Sequence, residues 1–420
     1  MAIAERYRIS RSLQALTSVL ALGLALTAVA AQPTQAQTFT VLHSFTGRAD
    51  GGGPQAGLAM DTAGNFYGTA AFGGSHESGT VFKLKQSGSG WVFTPLYAFQ
   101  GIPDGDEPGA VIVGPDGSLY GTTVGGGNSG CRFIGCGTVF NLKPPVHPSP
   151  SVLASWTESV LYRFTGGTDA ANPNPDKLAV DQAGNLYGTT HAYGTYGRGS
   201  VFKLTLASGM WTESLLYSFT GGSDGAGPVA GVIFDRAGNL YGTTVEGGTY
   251  GYGTVYELMS SGSGWAEHVL YSFQGGSDGE YPQGELLFDT FGKIYGTTEG
   301  TYQYPGTAFM LTPSDYGWIQ TVLHGFTGGD GANPGDALIM GANADLYGTT
   351  TQGGSIGVGV VFELAASGGG WTYTVLHDFS GNGDGGFPYG DLVVDANGVL
   401  YGTTSEGGTH GQGVVFEITP

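Results

Sequence analysis

From Trp211 to Leu258 the apolar and polar positions fall into four short runs, divided by glycine, aspartate and asparagine. The run WTESLLYSF predicts a strand from Trp211 to Phe219, with Trp211, Glu213, Leu215, Tyr217 and Phe219 on one face and Leu216 on the other. PVAGVIFD, Pro228 to Asp235, is largely apolar and predicts a strand buried on both faces. A tight turn at Arg236–Gly238 leads to Asn239–Thr244, and after a glycine-rich loop Thr254–Leu258 completes the unit.

This unit recurs. The phrase Tyr-Gly-Thr has its tyrosine at Tyr67, Tyr120, Tyr187, Tyr241, Tyr295, Tyr347 and Tyr401, with spacings of 53, 67, 54, 54, 52 and 54 residues. A fixed period with four strands per copy predicts an all-β, seven-bladed β-propeller of four-stranded blades. The glycine after each tyrosine is expected to mark close approach between neighbouring sheets. The chain ends in a strand, Val415–Ile418, that leaves the last blade one strand short. The strand Thr40–Phe45 is expected to supply it, which would remove the open edges. A β-solenoid is the other fold a repeat allows, but it would not need that complement.

Composition agrees with strands and turns. Eighty glycines in 420 residues disfavour helix, since each costs about 1 kcal/mol relative to alanine in a helix interior. The first 36 residues differ. Arg6, Arg8 and Arg11 precede an apolar stretch from Ala15 to Ala30, which predicts a secretory signal peptide cut after Ala30 or Ala36, leaving residues 37–420 as the propeller. No later run is long enough for a membrane span, so a secreted, extracellular or periplasmic monomer without membrane insertion is expected. Losing the leader takes the formal charge from −20 to −22, which disfavours nucleic acid as a partner.

The run GGSDGAGPVAGVIFDRAGNLYGTTVEGGTYGYGTVYEL resembles the GloVer-type tandem repeat of exported bacterial proteins, and the resemblance covers essentially everything after the leader. It implies a propeller-like fold and export, and supplies neither an activity nor catalytic residues. Members often end in exchangeable C-terminal sorting anchors. This sequence ends at Pro420 without a hydrophobic tail, so free secretion is the expectation.

Strand parity puts the two long connections of each blade on one face, and longer loops on a rigid scaffold are where binding residues concentrate. Seven aspartates recur there, Asp50, Asp104, Asp169, Asp224, Asp278, Asp330 and Asp384. An Asp-Gly turn whose carboxylate caps backbone N–H groups explains them; calcium is the alternative, without the dense acid spacing of an EF-hand. No other cofactor or metal is expected. A residue needed in every blade reads as structural, which covers the repeat tyrosines, the six tryptophans, and the outer-strand position held by Tyr97, Tyr162, Tyr217 and Tyr271 or by His43, His324 and His377.

Departures from the repeat are the better ligand-binding candidates: His191, Tyr193, Glu246, Tyr250, Glu299, Tyr302, Glu406 and His410. Tyrosines with carboxylates suit sugars, because rings cover apolar sugar faces while acids accept hydrogen bonds from hydroxyls. Solvated variable loops are the plainer reading. Cys131 and Cys136, close together in an exported chain, predict a loop disulfide rather than a zinc site, with Phe133 displayed between them. Walker, H-E-x-x-H and G-x-S-x-G motifs are absent. The expected function is therefore noncatalytic binding of an extracellular glycan or protein through the long-loop face. The alternatives are a carbohydrate-active hydrolase or lyase using loop carboxylates, and a structural envelope or matrix protein.

Overall fold

In the computed structural model the described residues are 37–419, apart from 89, 132–134, 146–154 and 263. The leader, Phe133 and most of the proline-rich insert from Pro144 to Ser151 therefore lie outside the described residues. Seven antiparallel sheets follow one another along the chain. Six are built from consecutive strands, and the seventh joins Thr38–Ser44 to Val414–Thr419, Leu400–Thr404 and Val393–Val394. The ring is thus closed by its N-terminal strand, in register from Thr38 opposite Thr419 to Ser44 opposite Val414.

The apolar runs build no single core. They form seven buried clusters, each shared by two neighbouring blades. Phe45, Tyr401 and Val415 of the last blade, for example, meet Leu58, Phe66, Phe82 and Leu84 of the first. Each repeat tryptophan packs against one of these clusters, as Trp211 and Trp265 do in two successive seams.

Two expectations of strand geometry are corrected. The inner strand of the fourth blade pairs only through Ile233 and Phe234, not along Pro228–Asp235. The segment before it leaves the ladder, with Asn174 Nδ2 of the preceding blade bonded to the Pro228 carbonyl. Thr189 of that blade likewise donates to the Ala230 carbonyl at 2.7 Å. The outer strand does not keep Trp211 through Phe219 on one face. Phe202 pairs with Leu215 but Val201 pairs with Tyr217, so Leu216 is the extra residue of a bulge. Side chains before the bulge face the preceding blade and those after it face the next, so Trp211 and Leu215 join one seam cluster and Tyr217 the following one. The same register shift recurs in all seven outer strands.

The repeat glycines are also reinterpreted. Gly348 lies opposite Phe362 of its own blade. A Cβ there would sit 2.6 Å from Phe362 Cζ and 2.9 Å from Leu338 Cδ2. The tight contact is with the blade's own cross-strand ring, not the neighbouring sheet. Gly348→Ala is expected to cost about 1–3 kcal/mol through overpacking. A urea midpoint equal to wild type would contradict this account.

Candidate functional site

The long-loop face is held by a repeated hydrogen-bond device. In every blade the loop aspartate accepts from the outer strand: Tyr97, Tyr162, Tyr217 and Tyr271 donate to Asp104, Asp169, Asp224 and Asp278 at 2.6–3.0 Å. His43, His324 and His377 make the same link to Asp50, Asp330 and Asp384 at 3.0–3.2 Å. Asp224 also receives Thr220 N, Thr220 Oγ1 and Gly222 N. Burial opposes ionisation of Asp224, yet these donors outweigh it and hold the carboxyl below its ordinary value. For His43 and His377 burial prevails over the aspartate bond, lowering both pKa values and favouring the neutral imidazole.

Around the axis the inner segments carry small residues in three blades, at Ala56-Gly57, Gly109-Ala110 and Ala230-Gly231. The other four place charge there: Asp176 and Lys177, Glu285, Asp336 and Asp391. Lys177 of the third blade reaches Asp391 of the seventh, with Nζ to Oδ2 at 2.9 Å. That ion pair joins two blades that are not neighbours in the ring. Asp391 also accepts from Ala337 N at 2.9 Å, Asp176 from Gly231 N at 3.0 Å, and Asp336 from Thr349 Oγ1 at 2.9 Å. Water still reaches the pair, whose side chains are 25% and 12% exposed, although protein surrounds it closely.

One lysine cannot neutralise four carboxyls, and the site divides accordingly. Burial raises the Asp391 carboxyl, but Lys177 more than compensates and keeps it ionised. Burial, followed by Asp391, raises Asp176 and Asp336. Burial pushes Glu285 up to about 8 against the pull of Lys177. Burial opposes the Lys177 charge, and the surrounding acids reverse that effect, Asp391 first. Among the described residues no group of three or more His, Cys, Asp or Glu side chains has an arrangement that could hold a metal ion.

Two residues before Asp391, Tyr389 is 45% exposed. Burial raises its hydroxyl pKa, and the carboxylates of Asp336, Glu299 and Glu406 add to the shift. A hollow of about 510 Å³ beside it is lined by Gln55, Phe72, Tyr389, Ser405, Glu406 and Gln412, along the seam between the last and first blades. A second, of about 480 Å³, is lined by Thr301, Tyr302, Asn333 and Gln352. A third, of about 670 Å³, lies between the short turns of the fourth and fifth blades. Its acids Asp235 and Asp289 are occupied in capping those turns, through Ala237 N and Asn239 N and through Phe291 N and Lys293 N. The long-loop hollows are therefore the better candidates.

The eight predicted residues do not form one constellation. Glu406 lines the hollow beside Tyr389, and the charges of both Glu299 and Glu406 act on that hydroxyl. Glu299 accepts from Gln283 Nε2. Glu246 faces Arg198 at 3.9 Å with both side chains exposed. The His191 ring lies against Gly227. Tyr193 has a φ of 68° and packs on the seam between the second and third blades. Tyr250, Tyr302 and His410 are exposed on their loops. Tyr389, Phe72 and the axial charges were missed, although the signal existed: charge replaces Ala or Gly just before the repeat-position leucine in Lys177-Leu178, Glu285-Leu286 and Asp391-Leu392.

Cys131 and Cys136 form the expected disulfide. No helix among the described residues is long and apolar enough to cross a membrane. Fold and repeat together define a seven-bladed propeller of tandem-repeat type. The chain belongs to the Gloeobacter/Verrucomicrobia repeat family, which it matches over residues 27–174, 174–320 and 267–420. Among curated proteins nothing matches it.

Similar solved structures include the extracellular domain assigned to a hybrid two-component system of B. thetaiotaomicron, with a TM-score of 0.54 and 12% identity over 90% of this chain and 39% of that one. Another is a protein assigned as a 6-phosphogluconolactonase from Bacteroides uniformis, with a TM-score of 0.51 and 16% identity over 83% of this chain and 89% of that one. The chain spans about two fifths of the two-component extracellular domains it matches. At such identity these likenesses show the fold alone.

Proposed function

We propose that this chain is an exported, noncatalytic propeller that binds an extracellular glycan at the hollow beside Tyr389. The observation that carries this reading is the pairing of two half-exposed rings, Phe72 and Tyr389, with Gln55, Gln412 and Glu406 in one concavity. Rings cover the apolar face of a sugar while amides and a carboxylate bond its hydroxyls. Of the predicted acids, Glu406 lines this hollow and Glu299 is held by Gln283, an arrangement that supports recognition over two-carboxylate hydrolysis. Export is supported by the leader pattern around Arg6 to Ala30 and by the disulfide.

The mature protein should give a positive signal on a glycan array. Tyr389→Ala should then weaken the selected glycan about tenfold, or ~1.4 kcal/mol, by calorimetry. An array that stays blank with folded protein, or a variant that binds as wild type, removes the proposal.

A further inference from the structure

The seven seams are of two chemical kinds. Past the bulge, the outer strands present His43, Tyr97, Tyr162, Tyr217, Tyr271, His324 and His377 to the next blade. Their counterparts there, in the same order, are Phe93, Glu158, Glu213, Glu267, Gln320, Tyr373 and Phe39. Histidine meets a ring, stacked at 3.8–3.9 Å in all three cases. Tyrosine meets glutamate or glutamine.

Two members of the second list show what the position does. Gln320 Nε2 donates to the main-chain oxygen of Asp278 at 3.0 Å, and the Tyr373 hydroxyl donates to that of Asp330. The position supplies a proton donor to the loop aspartate of the preceding blade. Glu158, Glu213 and Glu267 occupy it in three consecutive seams, each with a buried Oε1 that has no hydrogen-bond partner. An ionised carboxylate has no proton to give and would add charge beside Asp104, Asp169 or Asp224.

We propose that Glu158, Glu213 and Glu267 are held protonated as hydrogen-bond donors to the main-chain oxygens of Asp104, Asp169 and Asp224, so that three adjoining seams form an acid-stabilised arc of the ring. The groups facing them agree. Burial and then the facing aspartate push Glu158, Glu213 and Glu267 up to about 7, 8 and 7 respectively. Arg163 pulls Glu158 back only in part. Tyr97, Tyr162 and Tyr217 face these glutamates while donating to the same aspartates, and Tyr256 faces Glu267 from its own blade. Because the folded pKa values lie above the unfolded carboxyl value of about 4.3, the contribution is complete below that pH and is lost as pH rises through 7–8. The aspartates concerned anchor loops of the long-loop face, which couples the arc to that surface.

The test compares urea midpoints of the mature protein from pH 5 to pH 9 with those of the Glu158→Gln/Glu213→Gln/Glu267→Gln variant and of Gln320→Glu. Glutamine donates at every pH, so the triple variant should lose much less stability on going alkaline, whereas Gln320→Glu should lose more than wild type. A triple variant with the wild-type pH profile overturns the proposal. Carboxyl-carbon NMR of wild type labelled at glutamate tests it without any variant. Four resonances titrating near pH 7–8, three from the arc and one from Glu285 at the axis, support it; Glu158, Glu213 and Glu267 titrating near pH 4–5, or a wild-type midpoint that rises with added calcium rather than with acid, overturns it.

Discussion

Deleting Thr38–Ser44 is expected to abolish the folded ring rather than trim it. The deletion removes six backbone pairs with Val414–Thr419 and the stack of Phe39 on His377 at 3.8 Å. Phe39, Val41 and Leu42 are half-buried, so each contributes about 1–2 kcal/mol by burial before the lost ladder is counted. The total, on the order of 5 kcal/mol, rivals the whole margin of a typical domain, about 5–15 kcal/mol. The strand Val414–Thr419 would also become an open edge. Circular dichroism and size-exclusion chromatography should show loss of the cooperative transition together with association. A truncated monomer melting like wild type would show that the seventh blade does not need its donor.

The second large effect is expected at the axis. Lys177→Met preserves the length of the side chain but leaves Asp391 without its cation, and Asp176, Glu285 and Asp336 without a shared one. Removing one partner of a buried pair typically costs about 3–5 kcal/mol. Because water reaches this pair, the lower figure, about 3 kcal/mol, is expected at pH 7.

The pH dependence distinguishes this from a packing defect. In wild type the depressed pKa of Asp391 contributes stability above the ordinary carboxyl range and loses it as pH falls through the folded value. Asp176, Glu285 and Asp336, raised, contribute at low pH and lose it on the way up. Without the lysine the Asp391 contribution disappears and acid should recover much of the deficit. Urea midpoints showing the same deficit at pH 5 and pH 8 would refute the electrostatic account.

The fold was largely legible in the sequence, because each blade repeats its aromatic and glycine positions and the final copy is visibly short of a strand. What escaped was finer than the period of the pattern. One bulged residue, Leu216, reverses the facing of Tyr217 without disturbing an apolar run. The apolar segment Pro228–Val232 reads as strand, yet its Pro228 and Ala230 carbonyls are taken by side chains of the neighbouring blade. The candidate site was less legible. Glu299 and Glu406 lie 107 residues apart, and their charges act on the same Tyr389 hydroxyl only because the ring curves back on itself. The axial charges break the repeat as plainly as any loop residue, but they do so inside the strands, where a loop-centred reading passes over them.

The closing sheet fixes an order of events. Thr38 pairs with Thr419, so during N-to-C synthesis the strand that opens the ring finds its partner only when the strand that closes it has followed. Earlier blades can pair internally as they emerge, since their strands are neighbours in sequence. The axial bridge from Lys177 to Asp391 also waits for the final blade. Completion of the ring is therefore a late, long-range step, and until then the emerging chain carries an unmatched strand at its leading end.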